Sequence, residues 1–168
     1  MDTDQEFQIS DLICVDLCPS VVSFSFMRLK VRQLERGDAA EACALVKSFA
    51  AKDVSVEYME RFLSNPLNYL IVAEANGEVA GFLLAHALPR LKQDSYKMFI
   101  YEIDVAEPHR RKGVGTALIS EVRRIVRKEK MLNAFVFTSY SNKGAVEFYK
   151  KTGGRIGNGD DLMFVYED

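Results

Sequence analysis

Two glycines and three basic residues lie close together in the middle of the chain. Residues 110–116 (RRKGVGT), here called the glycine loop, follow an apolar run at residues 99–105 that predicts a buried strand. The Glu107-Pro108 pair ends that strand, and the residues after the loop have helical spacing. The first four N–H groups of a helix lack an internal acceptor, and the helix dipole is positive there. Consecutive amides of the glycine loop could therefore converge on a phosphate oxygen.

The glycine loop fits neither of two common nucleotide motifs. The dinucleotide fingerprint needs a third glycine where the chain has Leu118, and a P-loop needs Lys-Ser/Thr after its last glycine. Glycines nevertheless let a ligand approach the backbone closely, and the basic residues add charge for further phosphates. The segment on its own predicts either a phosphate site or a simple helix cap.

Two segments resemble motifs of the GCN5-related N-acetyltransferases (GNAT). Arg110, Gly113 and Gly115 match that family's Arg/Gln-x-x-Gly-x-Gly/Ala signature. Residues 142–154 (NKGAVEFYKKTGG) resemble its later motif, an asparagine followed by a helix that carries a tyrosine and ends in glycine. The resemblance covers residues 27–168 and implies acetyl-CoA as co-substrate. The residues it assigns to acetyl-CoA binding are Ile103, Val105, Arg110, Arg111, Lys112, Gly113, Val114, Gly115, Thr116 and Asn142.

The hydrophobic pattern predicts a mixed α/β (α+β) chain. Apolar spacing of three and four predicts helices from Gly37-Asp38 and over residues 55–63, 112–130 and 142–151. Alternating or apolar runs predict strands at residues 28–33, 69–74, 78–87, 99–105, 133–138, 155–156 and 162–166. Asn76-Gly77 between the second and third strands is a strong hairpin signal.

The resemblance turns this order of elements into an expected fold. It implies the GNAT acyl-CoA N-acyltransferase fold, with a mixed central sheet of six to seven strands flanked by about four helices. In that fold the strand before the glycine loop and the strand after its helix are parallel and splay apart. Backbone groups of Ile103 and Val105 would then be free to bind the pantetheine arm as a false strand. The alternative is an ordinary paired couple of strands.

Acetyl transfer to an amine sets three requirements. The amine must lose a proton, because an alkyl ammonium with a pKa of about 10 is not nucleophilic. The developing oxyanion needs a donor, for which we expect the Val105 N–H, and the departing thiolate takes a proton. Glu102 is the candidate base, since burial in an apolar strand would bring its proton affinity towards that needed near neutral pH. Tyr149, at the family's tyrosine position, is the candidate acid.

Each of these assignments has a plainer alternative. Glu102 could hold structure or substrate without accepting a proton, and Tyr149 beside Phe148 could be core. Asp104 is a weaker rival base, because strict alternation places it on the face of Glu102 unless a bulge intervenes. Asn142 could cap the last helix, bind the cofactor arm, or do both.

The acceptor is the least determined part. Residues 88–113, and the chain as a whole, resemble type I aminoglycoside 3-N-acetyltransferases, which are antibiotic-resistance enzymes and commonly dimers. That resemblance implies a small cationic amine as acceptor, with Asp104, Asp160 and Asp161 available to bind it, and a homodimer. One departure matters: residues 139–143 (SYSNK) lack the acids that this subgroup carries there. The alternatives are a protein or peptide N-acetyltransferase and a non-catalytic CoA-binding module.

Composition and charge argue against several other classes of function. A net charge of −2 over 168 residues argues against nucleic acid as the main partner, although residues 107–130 alone carry +5. No run approaches 18 apolar residues, so no membrane span is expected. Three cysteines and two histidines (Cys14, Cys18, Cys43, His86, His109) lack metal-ligand spacing, so no metal site is expected. An odd cysteine count without a basic leader favours the cytoplasm. Residues 1–26, with five acids and no base, predict an N-terminal extension to a domain at 27–168.

Overall fold

The computed structural model describes residues 28–157. Within that range the chain forms five strands, four α-helices and two short 3-10 turns. The elements are β1 (Leu29–Gln33), α1 (Ala39–Ala50), α2 (Val56–Ser64), β2 (Asn68–Ala75), β3 (Glu78–Pro89), β4 (Tyr96–Val105), α3 (Val114–Lys128), β5 (Ala134–Val136) and α4 (Lys143–Lys151).

One sheet contains all five strands in the order β1-β2-β3-β4-β5. The first four strands are antiparallel neighbours, and β5 is parallel to β4. A parallel neighbour requires a crossover, and α3 supplies it. The β2–β3 connection is the predicted hairpin, since Asn76 (φ 55°) and Gly77 (φ 91°) both have the positive φ that a type I′ turn requires.

Each face of the sheet has its own core. On one face α3 packs across all five strands, with Leu118 and Val122 fully buried against Leu83 and Met98. On the other face α1 and α2 cover β2 and β3, where Ala42 and other buried residues surround Phe82. The four predicted helices and the mixed sheet are therefore confirmed.

The predicted strand count is too high for the described part of the chain. Residues 155–156 form no strand, and the predicted strand at 162–166 lies outside the described residues. Strand β5 covers three residues instead of six, while β4 begins three residues earlier than predicted. The third helix begins at Val114 instead of Lys112, because Gly113 precedes it with a left-handed φ of 88°. No helix between residues 28 and 157 is long and apolar enough to cross a membrane.

Candidate active site

The N-terminus of α3 presents unpaired amides. The N–H groups of residues 111–116 have no hydrogen-bond acceptor within the described chain, and the first intrahelical bond runs from Ala117 to the Gly113 carbonyl. Arg111 (φ 59°) and Gly113 (φ 88°) both have left-handed backbone, which curls the loop before the helix. A Cβ on Gly113 would meet no atom within 4 Å. The predicted amide-lined opening is present, and its free donors fit a diphosphate.

Gly115 has a different role from the one expected. A Cβ at this position would lie 3.1 Å from two ring atoms of Phe148, so the glycine makes room for α4 to pack on α3. The side chain of Phe148 therefore occupies the Cβ side of Gly115, while the N–H of Gly115 has no acceptor among the described residues. Val114 is also a core residue, with 1% of its surface exposed, although its N–H remains free.

The three basic residues of the glycine loop do not act alike. Arg111 and Lys112 are exposed and lie outside salt-bridge distance of every described carboxylate, so their charge is available to phosphates. Arg110 instead turns back to β4, where its Nε donates to the Val105 carbonyl at 2.9 Å. Its Nη2 lies 3.7 Å from Asp104 Oδ1. Arg110 therefore holds the end of the strand in this arrangement.

Strands β4 and β5 separate as predicted. Their pairing stops at Ile100 and Val136, although β4 continues to Val105. Because Ala106 donates to Ala80 of β3 at 2.9 Å, alternation directs the backbone groups of Ile103 and Val105 to the β5 side. The Val105 N–H donates to Asp104 Oδ1 at 2.7 Å. Both Val105 backbone groups are thus bonded to side chains, whereas Ile103 has no strand partner on that side.

A bulge in β4 determines where Glu102 lies. Leu84 of β3 pairs with Glu102, but the next residue, Ala85, pairs with Ile100, so Tyr101 is the extra residue. The bulge places Tyr101 and Glu102 together on the face opposite α3. Glu102 is exposed there, so its expected burial is wrong. Asp104 pairs with Phe82 and is partly buried on the same face as Glu102, since the bulge lies before both.

Four aromatic side chains, here called the aromatic surface, lie beside Glu102: Phe99, Tyr101, Phe135 and Phe137. Phe99 stacks on Phe135 with ring centroids 5.2 Å apart, and both contact Phe137 within 5.8 Å. Tyr101 is edge-on to Phe99 at 6.0 Å. Tyr101 is 64% and Phe137 70% exposed. The apolar runs predicted buried strands here, although the Phe-x-Tyr and Phe-x-Phe spacings indicate one aromatic face on each predicted strand.

His86 connects the aromatic surface to the core under α2. Its Nδ1 lies 2.9 Å from Asn68 Oδ1, and its ring is edge-on to Tyr101 at 5.8 Å and to Phe62 at 6.4 Å. Burial lowers the pKa of His86 below its usual value. The ring therefore takes up a proton less readily than a free histidine, and it packs against Tyr101.

Tyr149 lies on the other face of the sheet. It packs against the α3 core, and burial raises the pKa of its phenol above the usual value. It lines a groove of about 840 Å³ between β5, α3 and α4. Neither Glu102 nor the glycine loop lines that groove, so this groove does not unite the two candidate catalytic residues. Beyond Ile100 and Val136 the strands β4 and β5 are not paired, so the gap between them opens to both faces of the sheet.

The remaining predicted site residues divide by position. Asn142 caps α4, its Oδ1 accepting from the Ala145 N–H at 3.1 Å, so the capping alternative is confirmed. Thr116 is exposed on the first turn of α3. Asp160 and Asp161 lie outside the described residues. From residue 28 to residue 157 no group of three His, Cys, Asp or Glu side chains could hold a metal ion.

A mixed sheet with a splayed parallel pair and a glycine-rich helix start defines an acyltransferase-type fold. The family model described as "Acetyltransferase (GNAT) family" matches residues 35–154. The chain therefore belongs to the GNAT acetyltransferase family.

Solved structures of similar fold include two aminoglycoside acetyltransferases. An aminoglycoside acetyltransferase from an uncultured soil metagenomic sample, solved with sisomicin, has a TM-score of 0.76 and 20% identity, covering 83% of this chain and 95% of that one. A second aminoglycoside acetyltransferase from a soil metagenomic sample has a TM-score of 0.74 and 26% identity, covering 84% of this chain and 99% of that one.

Curated relatives match over shorter segments. An uncharacterised N-acetyltransferase of Methanocaldococcus jannaschii is 29% identical over 98 residues, covering 57% of this chain and 43% of the relative. N-alpha-acetyltransferase 50 of Danio rerio is 31% identical over 65 residues, covering 38% of this chain and 39% of the relative. The matches thus span less than half the length of these curated relatives.

Proposed function

We propose that this protein is an N-acetyltransferase that transfers an acetyl group from acetyl-CoA to a primary amine. The observation that carries the proposal is that the free amides of the glycine loop come shortly after the unpaired end of β4, which runs past Glu102 to Val105. Amides of residues 111–116, with Arg111 and Lys112, would bind the diphosphate. The backbone of Ile103, and of Val105 once Asp104 and Arg110 release it, would bind the amide-bearing arm.

Two side chains would move the protons of the reaction. When bound, acetyl-CoA supplies an acetyl thioester. The acceptor ammonium loses one proton to Glu102, directly or through a water, and the resulting amine attacks the thioester carbonyl. The C–S bond breaks as the N–C bond is retained, and the second proton of the nitrogen passes to solvent. Tyr149 would give its proton to the departing thiolate and recover one from solvent, and its raised pKa keeps the phenol protonated at neutral pH. The Val105 N–H would polarise the acyl oxygen.

Two acceptor classes enter the proposal. Aminoglycoside amines are supported by the resemblance to type I 3-N-acetyltransferases and by the solved relatives above, one of which binds sisomicin. Peptide amines are supported by the segment shared with N-alpha-acetyltransferase 50. A homodimer is a further expectation from the type I resemblance, which light scattering of the purified protein would test.

The decisive experiment is a thiol-release assay with acetyl-CoA over a panel of amines, including gentamicin-type aminoglycosides and short peptides. We expect Glu102→Gln to lower kcat steeply while calorimetry shows unchanged acetyl-CoA binding. Glu78→Gln, at an exposed position where β3 begins, is the matched control and should retain full activity.

Two results would change the proposal. Unaltered turnover in Glu102→Gln would remove Glu102 as the base. CoA binding without transfer to any amine would favour the non-catalytic module.

A further inference from the structure

The face of the sheet that carries Glu102 is aromatic where an acceptor must lie. Given the proposed acetyl transfer, we propose that the acceptor is a primary amine carried on an aromatic or apolar group, which packs on the aromatic surface. A free arylalkylamine and a peptide with an apolar first residue share this chemistry beside the amine.

The β4 bulge sets the distance between the two recognition elements. It places Tyr101 next to Glu102 on one face, and Phe99 lies two residues before Tyr101 on that face. Residues two apart on a strand are separated by roughly 7 Å. Because Glu102 directly follows Tyr101 on the same face, we expect the substituent of an ammonium held at Glu102 to reach the Tyr101 ring through a linker of about two carbons. Aromatic faces also attract the ammonium itself.

The helices leave this part of the sheet open within the described residues. The core under α1 and α2 involves β2 and β3, and its outermost contributors towards β4 are Phe82 and Leu84. The aromatic surface lies on β4, on β5 and on the residue that follows β5, beyond that core. An exposed contiguous group of apolar rings typically marks a binding surface, and the adjacent Glu102 carboxylate suits an ammonium.

The charges of the same face disfavour a polyamine sugar. Its described carboxylates near the β4–β5 gap are Glu102 and Asp104, and the guanidinium of Arg110 lies 3.7 Å from Asp104 and offsets its charge. The loop before α4, which could supply more acids, reads Ser-Tyr-Ser-Asn-Lys, with Tyr140 73% exposed. One free carboxylate suits one ammonium, whereas an aminoglycoside carries several.

The test compares matched amines in the thiol-release assay. The panel contains 2-phenylethylamine, ethylamine, a peptide beginning with Phe, the same peptide beginning with Ser, and kanamycin. We expect kcat/KM for 2-phenylethylamine to exceed that for ethylamine by about ten- to a hundredfold, the range expected for covering an aromatic ring. Whether phenylethylamine or the Phe peptide is the better acceptor distinguishes the two sources of the apolar amine.

Two substitutions then locate the effect. Tyr101→Ser and Phe137→Ser should each raise KM for the aromatic acceptor about tenfold and lower the preference for 2-phenylethylamine over ethylamine. Leu91→Ser, at a fully exposed position in the β3–β4 turn, should change none of these values. Tyr101→Phe is the conservative variant and should retain the wild-type preference if a serine variant fails to fold.

The outcomes separate the two levels of the proposal. Kanamycin turnover above that of every apolar amine would overturn the acceptor assignment while leaving acetyl transfer intact. Serine variants that lower the melting temperature without changing any KM would show that the surface is covered by another part of the chain, which also overturns it. Absence of transfer to every amine, with CoA still bound, would refute the proposed function itself.

Discussion

Gly81 offers the sharpest test of how the strand beside the site is held. It lies in β3 opposite Val105, and a Cβ there would be 2.7 Å from the Asp104 carbonyl oxygen and 3.2 Å from both Val105 Cα and Val114 Cγ1. Ordinary contacts begin near 3.4 Å, so Gly81→Ala must push backbone apart by several tenths of an ångström. Overpacking of this kind costs about 1–3 kcal/mol. In a chain of this size, that cost corresponds to a melting temperature lower by about 2–12 °C.

The displaced atoms belong to the proposed cofactor site, so function should change with stability. We expect Gly81→Ala to lower the free energy of unfolding in urea and to raise KM for acetyl-CoA, because Val105 and the start of α3 both move. Gly37→Ala is the matched control: no atom lies within 4 Å of its added Cβ and its φ is not positive. It should change stability by less than about 0.5 kcal/mol. Equal unfolding free energies for the two variants would refute this account of β3, β4 and α3.

Other positions give further expected outcomes. Gly113→Ala should cost about 1–2 kcal/mol, because its φ of 88° strains any side chain, and should weaken CoA binding measured by calorimetry. Tyr149→Phe should lower kcat without lowering the melting temperature. In the wild type, kcat should begin to decline only above pH 10.0, the usual tyrosine pKa, because burial raises the pKa of Tyr149. A decline centred below pH 10.0 would contradict this. Burial lowers the pKa of His86, so the unfolded chain binds more protons than the folded chain in weak acid, and stability should fall as pH drops below about 6.5. His86→Gln should remove that part of the pH dependence of the free energy of unfolding measured in urea. An unchanged slope would show that another group causes it.

Much of the fold follows from local sequence patterns. The α3 residues Leu118 and Val122 repeat with helical spacing and are buried, and Asn76-Gly77 makes its hairpin. The glycine loop was predicted as an amide-lined helix start because the glycine and its neighbours set the backbone there. These features depend on residues within a few positions of each other.

The features that the sequence did not predict depend on distant partners. Whether Tyr101 is a bulge is decided by its pairing with β3, so neither its exposure nor that of Glu102 could be derived from alternation within β4. Gly115 likewise has its explanation in Phe148, which is 33 positions away in the chain and reaches it only through the packing of α4 on α3. The loop could be predicted from residues close to it in the sequence, whereas its surroundings depend on residues that come close to it only in the folded structure.

The side chains at the end of β4 also bear on how the protein behaves at high concentration. A strand that extends beyond its neighbour leaves an unpaired edge, to which a strand from another molecule can pair, and such edges promote intermolecular association. Asp104 and Arg110 occupy the Val105 N–H and carbonyl, so the last position of that edge is closed to a second chain. A ligand that binds here must replace the two hydrogen bonds that Asp104 and Arg110 make to Val105. The same two side chains hinder the addition of a strand from a second molecule at this edge.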